Sequence, residues 1–393
     1  MSTSATARRI SVLLALALSA FAFNTTENLP IGLLPLLARD LDVSLPAAGH
    51  LVTGYGLAVA LASLPLAQVT RGVPRRWLLA GVLAVLALAT LVAVGTTSYP
   101  VLLAARIVTA FAQAVFWAVT APVAVSLFSP AVRGRVVAVM SVGGSLATVL
   151  GVPAGTWLGQ RDGWRLPFLL VALAAGVALV VVVALLPTSR PDAGHGAYAA
   201  EPHPGRFAVV LVVTAVSVTG MFAGFTYVAR FLTGPAGFPE PSVGGLLLAF
   251  GAAGIAGVVV VGRLLDRFPR GTLVATVGGQ AVALLGLGLL AAQPAAVVGL
   301  LALLGATAAP VFTVTQARIL QVTPGRTELG FAANSVAFNV GIALGALLGG
   351  LALPAYGERG AFVLGGLVTL AALAAALAEP LLARRPAPVP ATG

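Results

Sequence analysis

Runs of about twenty apolar residues recur along the chain, each ended by Arg, Pro, Gly or an acid and each long enough to cross the hydrocarbon core of a bilayer. The pattern predicts twelve helical spans at roughly 10–38, 46–70, 76–96, 99–128, 134–158, 164–187, 207–233, 241–265, 271–292, 294–321, 327–353 and 359–383. The longest polar break, TSRPDAGHGAYAAEPHPGR at 188–206, is rich in Pro, Gly and Ala and reads as a flexible linker. It separates a six-span half over 1–187 from a second over 207–393. The expected fold class is an all-α membrane protein, two six-helix bundles around a central cavity.

Composition strengthens this reading. Of 393 residues, 59% are hydrophobic and 8% charged, where a soluble chain carries about 25% charge. No soluble block exceeds the central break, so a separate enzymatic domain is not expected. The N-terminal MSTSATARRISVLLALALSAFAF is built like a signal peptide, but its apolar stretch runs on to Leu37 and reads as a retained first span. Cysteine is absent, which excludes disulfides and thiolate metal sites.

Net charge is +11, and every basic residue is Arg. The arginines sit in short clusters between spans rather than along one face, which argues for membrane topology and against nucleic acid. With a cytoplasmic N-terminus, 16 of the 22 arginines fall on inside segments and 6 outside, so both termini and the linker are expected in the cytoplasm.

The halves echo each other. RGVPRRWLL (71–79) follows the second span and GRLLDRFPRGTL (262–273) follows the eighth. Such a parallel repeat builds transporters around a cavity at the interface of the halves. The second loop resembles the signature G-x-L-x-D-R-x-x-R-x-x-L of the major facilitator superfamily, with Gly262, Leu264, Asp266, Arg267, Arg270 and Leu273 in its positions. In that family the loop is a cytoplasmic gate, which the resemblance assigns to Asp266, Arg267 and Arg270, with Arg75 and Arg76 in the first-half copy. That copy lacks the acid; Gln68 and Thr70 stand nearby.

Two further stretches resemble the family. LLAARIVTAFAQA carries Arg106 with Ala110 four residues on, like the family's membrane Arg. SVGGSLATVLGVPAGTWLG (141–159) resembles the Gly-Pro element of its drug and solute antiporters, through Gly151, Pro153, Gly155 and Gly159. That element belongs to exporters rather than importers. The opening FNTTENLPIGLLPLLARDLDVSLPAAGHLVTGYGLAVALASLPLA, with FAQAVFWAVTAPVAV, LGVPAGTWLGQRDGWRLPF and FNVGIALGALLGG, is similar to bacterial sugar efflux transporters, the arabinose and thiogalactoside exporters of the drug:proton antiporter branch. Chloramphenicol-type exporters share much of this pattern. Where some relatives carry His, this chain has Gln113.

Among eleven acids, Glu27 alone lies well inside a span. An acid there is expensive and by default functional, because it binds and loses a proton as its exposure changes. Arg106, at comparable depth in span 4, is the expected counter-charge, so the pair is assigned to proton coupling. Asn24 and Asn28 share a helical face with Glu27. With Tyr55, Gln113, Trp117, Tyr227, Asn334 and Asn339 they form the expected substrate-binding set: amides for hydroxyl groups and aromatic faces for the C–H side of a ring.

GAAGIAG (251–257) sits inside an apolar span with no preceding strand and reads as a packing face rather than a dinucleotide loop. No Walker sequence and no metal-ligand spacing is present. The reading that emerges is a non-enzymatic secondary transporter without cofactor, in a bacterial inner membrane. It exports sugars or sugar-like solutes against protons by alternating access, and is expected to work as a monomer. A multidrug or chloramphenicol-type antiporter is the alternative, and a proton-sugar symporter or facilitator stands behind it.

Overall fold

A computed structural model of the chain describes residues 3–129, 133–188, 202–265, 267–324 and 327–382. These form fourteen α-helices: α1 (Thr3–Asp40), α2 (Leu45–Val69), α3 (Arg75–Gly95), α4 (Tyr99–Ser126), α5 (Arg133–Leu146), α6 (Val152–Asp162), α7 (Arg165–Leu185), α8 (Pro204–Phe225), α9 (Val228–Thr233), α10 (Val243–Leu265), α11 (Pro269–Leu289), α12 (Pro294–Ala308), α13 (Val311–Val322) and α14 (Thr327–Leu382). Three crossings are interrupted. α5 passes into α6 through a π-turn at Ala147–Gly151, α8 into α9, and α12 into α13. The π-turn has a local cause: Pro153 has no N–H to give back along the helix, and the ladder shifts its register just before it.

α14 makes two crossings. Its apolar stretch Ala332–Pro380 has 49 residues, and a straight helix of that length would span about twice the hydrocarbon core. The chain turns at Gly357, whose φ of 64° and ψ of −172° only glycine adopts without strain. Twelve crossings result, in two bundles. The predicted linker falls mostly on 189–201, outside the described residues.

Within each half the first and fifth crossings approach closely through glycines four or eight residues apart. Gly143, Gly151, Gly155 and Gly159 of the fifth crossing lie against Ala17, Thr25, Leu29 and Leu33 of α1. In the second half Gly341, Gly345 and Gly349 of α14 lie against Ala215, Thr219 and Ala223 of α8. First on fifth and seventh on eleventh is the structural form of the repeat, and close approach through small residues is how helices pack where lipid supplies no hydrophobic drive. At Gly143 an added Cβ would run into the Ala17 backbone carbonyl. Gly143→Ala is therefore expected to lower stability in detergent by about 1–3 kcal/mol, the cost of overpacking, read as a fall in melting temperature.

The halves meet where α2 packs on α14, α6 on α10 and α1 on α9. Among the described residues one ion pair joins them, Arg39 Nη2 to Glu240 Oε1 at 3.2 Å, on the face opposite the termini. Beside it Asp40 accepts from Trp164 Nε1 at 3.0 Å and pairs with Arg165 at 2.7 Å, fastening the end of α1.

Candidate functional site

The site is built on a defect in α1. Pro30 has no N–H, so the carbonyl of Thr26 loses its ordinary partner four residues on, and a bare carbonyl inside a membrane is costly. Arg106 of α4 fills the place: Nη1 donates to the Thr26 carbonyl, and Nη2 to the Glu27 carbonyl at 3.0 Å. The same guanidinium lies 4.5 Å over the ring of Tyr55 from α2. Arg106 and Tyr55 are both buried.

The Glu27 carboxylate takes a different partner. Gln113 Nε2 donates to its Oε2 at 2.8 Å, and Tyr55 Oη donates to Gln113 Oε1 at 2.6 Å. A chain of two hydrogen bonds thus links α2, α4 and α1 and ends on the acid. Among the described residues Glu27 makes no ion pair, and Oε1 has no hydrogen-bond partner. Sequence reasoning made Arg106 the counter-charge of Glu27; the structure brings its guanidinium to the Glu27 backbone carbonyl, close enough for the two charges to act on each other, while the carboxylate's hydrogen bond comes from Gln113.

Asn28 Nδ2 donates to the Asn24 carbonyl at 3.0 Å, and Asn24 Nδ2 to the Gly144 carbonyl of α5 at 3.2 Å. Both stay half-buried on the Glu27 face. An aromatic cluster follows between α1 and α4: the rings of Phe23 on α1 and Phe116 on α4 have centroids 4.7 Å apart, and Trp117 meets Phe116 edge-on at 5.4 Å while 40% exposed. Gly144 opposite lets Asn24 and Trp117 approach α5.

The second-half candidates separate. Asn334 is fully buried, accepting from Thr214 Oγ1 at 2.7 Å and donating to Thr315 Oγ1 at 3.1 Å and Gln316 Oε1 at 3.2 Å. Asn339 donates to the Ser335 carbonyl at 2.9 Å, its Oδ1 has no partner, and its backbone carbonyl abuts Gly56, next to Tyr55. Tyr227 is a buried wedge at the seam of the halves, donating to the Ala346 carbonyl at 2.9 Å and packed against Gly49 and Gly350.

Sequence reasoning missed three features here. Phe312 and Phe338 meet edge-on at 5.2 Å, and both are half-buried. Gln316 lies one turn from Phe312. Gln280 donates to the Ser217 carbonyl at 2.7 Å, tying α11 to α8. The repeat offered a signal for the first: Phe312 is the nineteenth residue counted from Pro294, as Trp117 is from Tyr99.

Of the proposed gate, Asp266 lies outside the described residues. Arg267 is exposed beside the Phe268 ring at 5.4 Å, and Arg270 Nη2 donates to the Leu377 carbonyl at 3.1 Å. Arg76 donates to the Val183 carbonyl and lies 5.3 Å over Trp77, while Arg75 has no hydrogen bond or ion pair among the described residues. Gly151 closes the π-turn and, with Gly155, lies in the seam against α1, while Pro153 stands in the first turn of α6.

Comparison with known proteins gives consistent relatives. The sequence matches the profile of the Major Facilitator Superfamily over residues 16–300 and 209–393. It is 33% identical over 381 residues to the uncharacterized MFS-type transporter YtbD of Bacillus subtilis (strain 168), covering 94% of this chain and 96% of that one. The fold resembles that of the nucleoside transporter NupG, with a TM-score of 0.77 at 11% identity over 94% of this chain and 99% of that one. A bacterial homologue of the human lysosomal transporter Spinster, in an inward-facing and unoccupied conformation, gives 0.71 at 17% identity over 99% of this chain and all of the other.

Proposed function

Because the chain belongs to the Major Facilitator Superfamily, whose members are membrane transporters and not enzymes, we propose that it exports sugars or sugar-like solutes in exchange for protons by alternating access. The observation that carries this is the neutral partner of the Glu27 carboxylate. An acid fixed by a guanidinium stays ionised and structural. One held by the Gln113 amide, with its second oxygen free, can take up a proton without breaking an ion pair.

The proposed cycle follows from that exchange. Ionised Glu27 accepts from Gln113 and offers Oε1 to a solute hydroxyl. Protonation converts the carboxyl into a donor and removes that acceptor, so proton and solute compete for one group and each displaces the other. Asn24 and Asn28 add amide contacts, and Trp117 an aromatic face for the ring's C–H side. Asn334, Asn339 and Tyr227 complete the set, with Asn334 and Tyr227 acting through the helices they hold. Arg106 keeps α1 continuous at Pro30 and sets the carboxylate's place. Arg267 and Arg270 with Asp266, and Arg75 and Arg76 in the first-half loop, are the proposed gate; the arginine count supports a cytoplasmic position for that face, and the protein is proposed to work as a monomer in a bacterial inner membrane.

The aromatic surfaces favour a second reading, a proton antiporter of chloramphenicol-type drugs. Counterflow in proteoliposomes separates the readings. Arabinose or a thiogalactoside exchanging faster than chloramphenicol, with accumulation that follows an imposed pH gradient, is the expected result. Preference for chloramphenicol selects the second reading, and exchange indifferent to pH makes the protein a facilitator.

Tyr55→Phe tests the hydrogen-bond chain. It removes the hydroxyl that orients Gln113 and keeps the ring under Arg106, so solute affinity is expected to fall about three- to tenfold, the worth of one hydrogen bond. The melting temperature should stay within a few degrees of native, and an unchanged KM would remove Tyr55 from the site.

A further inference from the structure

We propose that the groove between α2, α3 and α4, on the side of α4 turned away from Glu27, is a binding site for one anionic phospholipid, with an acyl chain in the groove and the phosphate at Arg75 and Arg76. The groove encloses about 370 Å³ and is lined by Leu66, Trp77, Gly81, Val85, Phe111 and Val115 among others, without a charged side chain. Trp77, Gly81 and Val85 are four residues apart and form one line along α3, about 12 Å long. An added Cβ at Gly81 would meet nothing within 4 Å, so the glycine leaves the channel floor open. Phe111 and Val115 precede Gln113 and Trp117 by two residues each, about 200° around the helix, so the groove faces the bilayer and not the solute site.

The mouth of this groove is cationic, and among the described residues no acid pairs with its arginines. Arg75 and Arg76 open α3, whose first turn has no side-chain cap and no acid. The Arg76 guanidinium stands 5.3 Å from the ring of the groove-lining Trp77; one Nη is spent on the Val183 carbonyl, and its buried Nε has no partner. Half-buried Arg75 has neither hydrogen bond nor ion pair among the described residues. The first-half loop is the copy of the repeat without an acid of its own, and in this proposal the lipid phosphate supplies the anion. Guanidinium groups take phosphate oxygens in two-point contact, and an uncapped helix N-terminus favours negative charge. A phosphate at the membrane surface directly above a chain-shaped apolar channel is that of a phospholipid, and the paired arginines select one with net negative charge.

Native mass spectrometry of the detergent-purified full-length protein, titrated with phosphatidylglycerol, phosphatidylcholine and inorganic phosphate, tests this. Phosphatidylglycerol is expected to bind at least about fivefold more tightly than phosphatidylcholine, and Arg75→Gln to reduce that preference by about fivefold, the worth of one basic residue at a lipid surface. Gly81→Leu, which fills the channel, should weaken both lipids without altering the melting temperature in lipid-free detergent. Equal retention of the two lipids, or phosphatidylglycerol binding unchanged in both variants, overturns the proposal. Inorganic phosphate competing as well as lipid reduces the site to a bare anion pocket, which also overturns it.

Discussion

Replacing Glu27 by Gln is expected to leave solute exchange running and to abolish its coupling to protons. The substitution keeps the size of the side chain and leaves an amide oxygen to accept from Gln113 Nε2, so the chain from Tyr55 survives. The titrating group disappears, and at the Oε1 position the amide presents a donor, as the protonated acid does. In proteoliposomes, counterflow of a transported solute should persist but slow by about three- to tenfold, the worth of the one hydrogen bond that the solute hydroxyl loses. Accumulation driven by an imposed pH gradient should fall by roughly a hundredfold or more, the scale of a lost proton-transfer group. Glu27→Asp should recover part of the coupling, because it restores the titration and shortens the reach by one methylene. Gradient-driven accumulation that persists in Glu27→Gln would move the coupling elsewhere and leave Glu27 as a hydrogen-bonding residue.

Glu27 was legible in the sequence because membrane interiors hold few acids, and one seventeen residues beyond Ile10 stands out against Leu and Ala. The twelve crossings were legible for the same reason, and even the turn near Gly357 falls in the gap between the last two predicted spans. Partner choice was not legible. Composition and spacing place Arg106 and Gln113 at compatible depths, but which reaches the carboxylate depends on the rotation of α4 against α1. One clue was present: Pro30 must orphan the Thr26 carbonyl, and the buried donor that satisfies it is then committed to the backbone. The wedge made by Tyr227 was illegible because it depends on Gly49 and Gly350, distant in sequence and brought together only by the packing of the halves. Phe312 and Phe338 were hidden because aromatic residues are common in apolar spans and carry no positional mark without the repeat alignment.

A second acid, Glu379, shows what a different partner does to the same side chain. The sequence places it near the end of the last span and Arg318 at the edge of the tenth, with no link between them. The structure pairs Arg318 Nη2 with Glu379 Oε1, both residues buried, and Arg318 Nη1 donates to Gln321 Oε1 at 2.7 Å. Here the carboxylate has a full counter-charge, and the pair holds α13 to α14. Breaking the pair from one side strands the other charge. Arg318→Met and Glu379→Leu should each cost about 3–5 kcal/mol, whereas the double variant should recover most of that loss, since a buried pair and a well-packed apolar pair of similar volume are often close in stability. The recovery is favoured by two atoms that already lack partners, Arg318 Nε and Glu379 Oε2, so the native pair is incompletely satisfied. Thermal denaturation of the four proteins in one detergent closes the cycle. Losses below about 1 kcal/mol in the singles would mean that solvent screens the pair as it does at a surface. A double variant as unstable as the sum of the singles would show that each residue packs independently. The contrast with Glu27 then becomes measurable: Gln in place of Glu379 should destabilise the fold, whereas Gln in place of Glu27 should spare the fold and uncouple the proton.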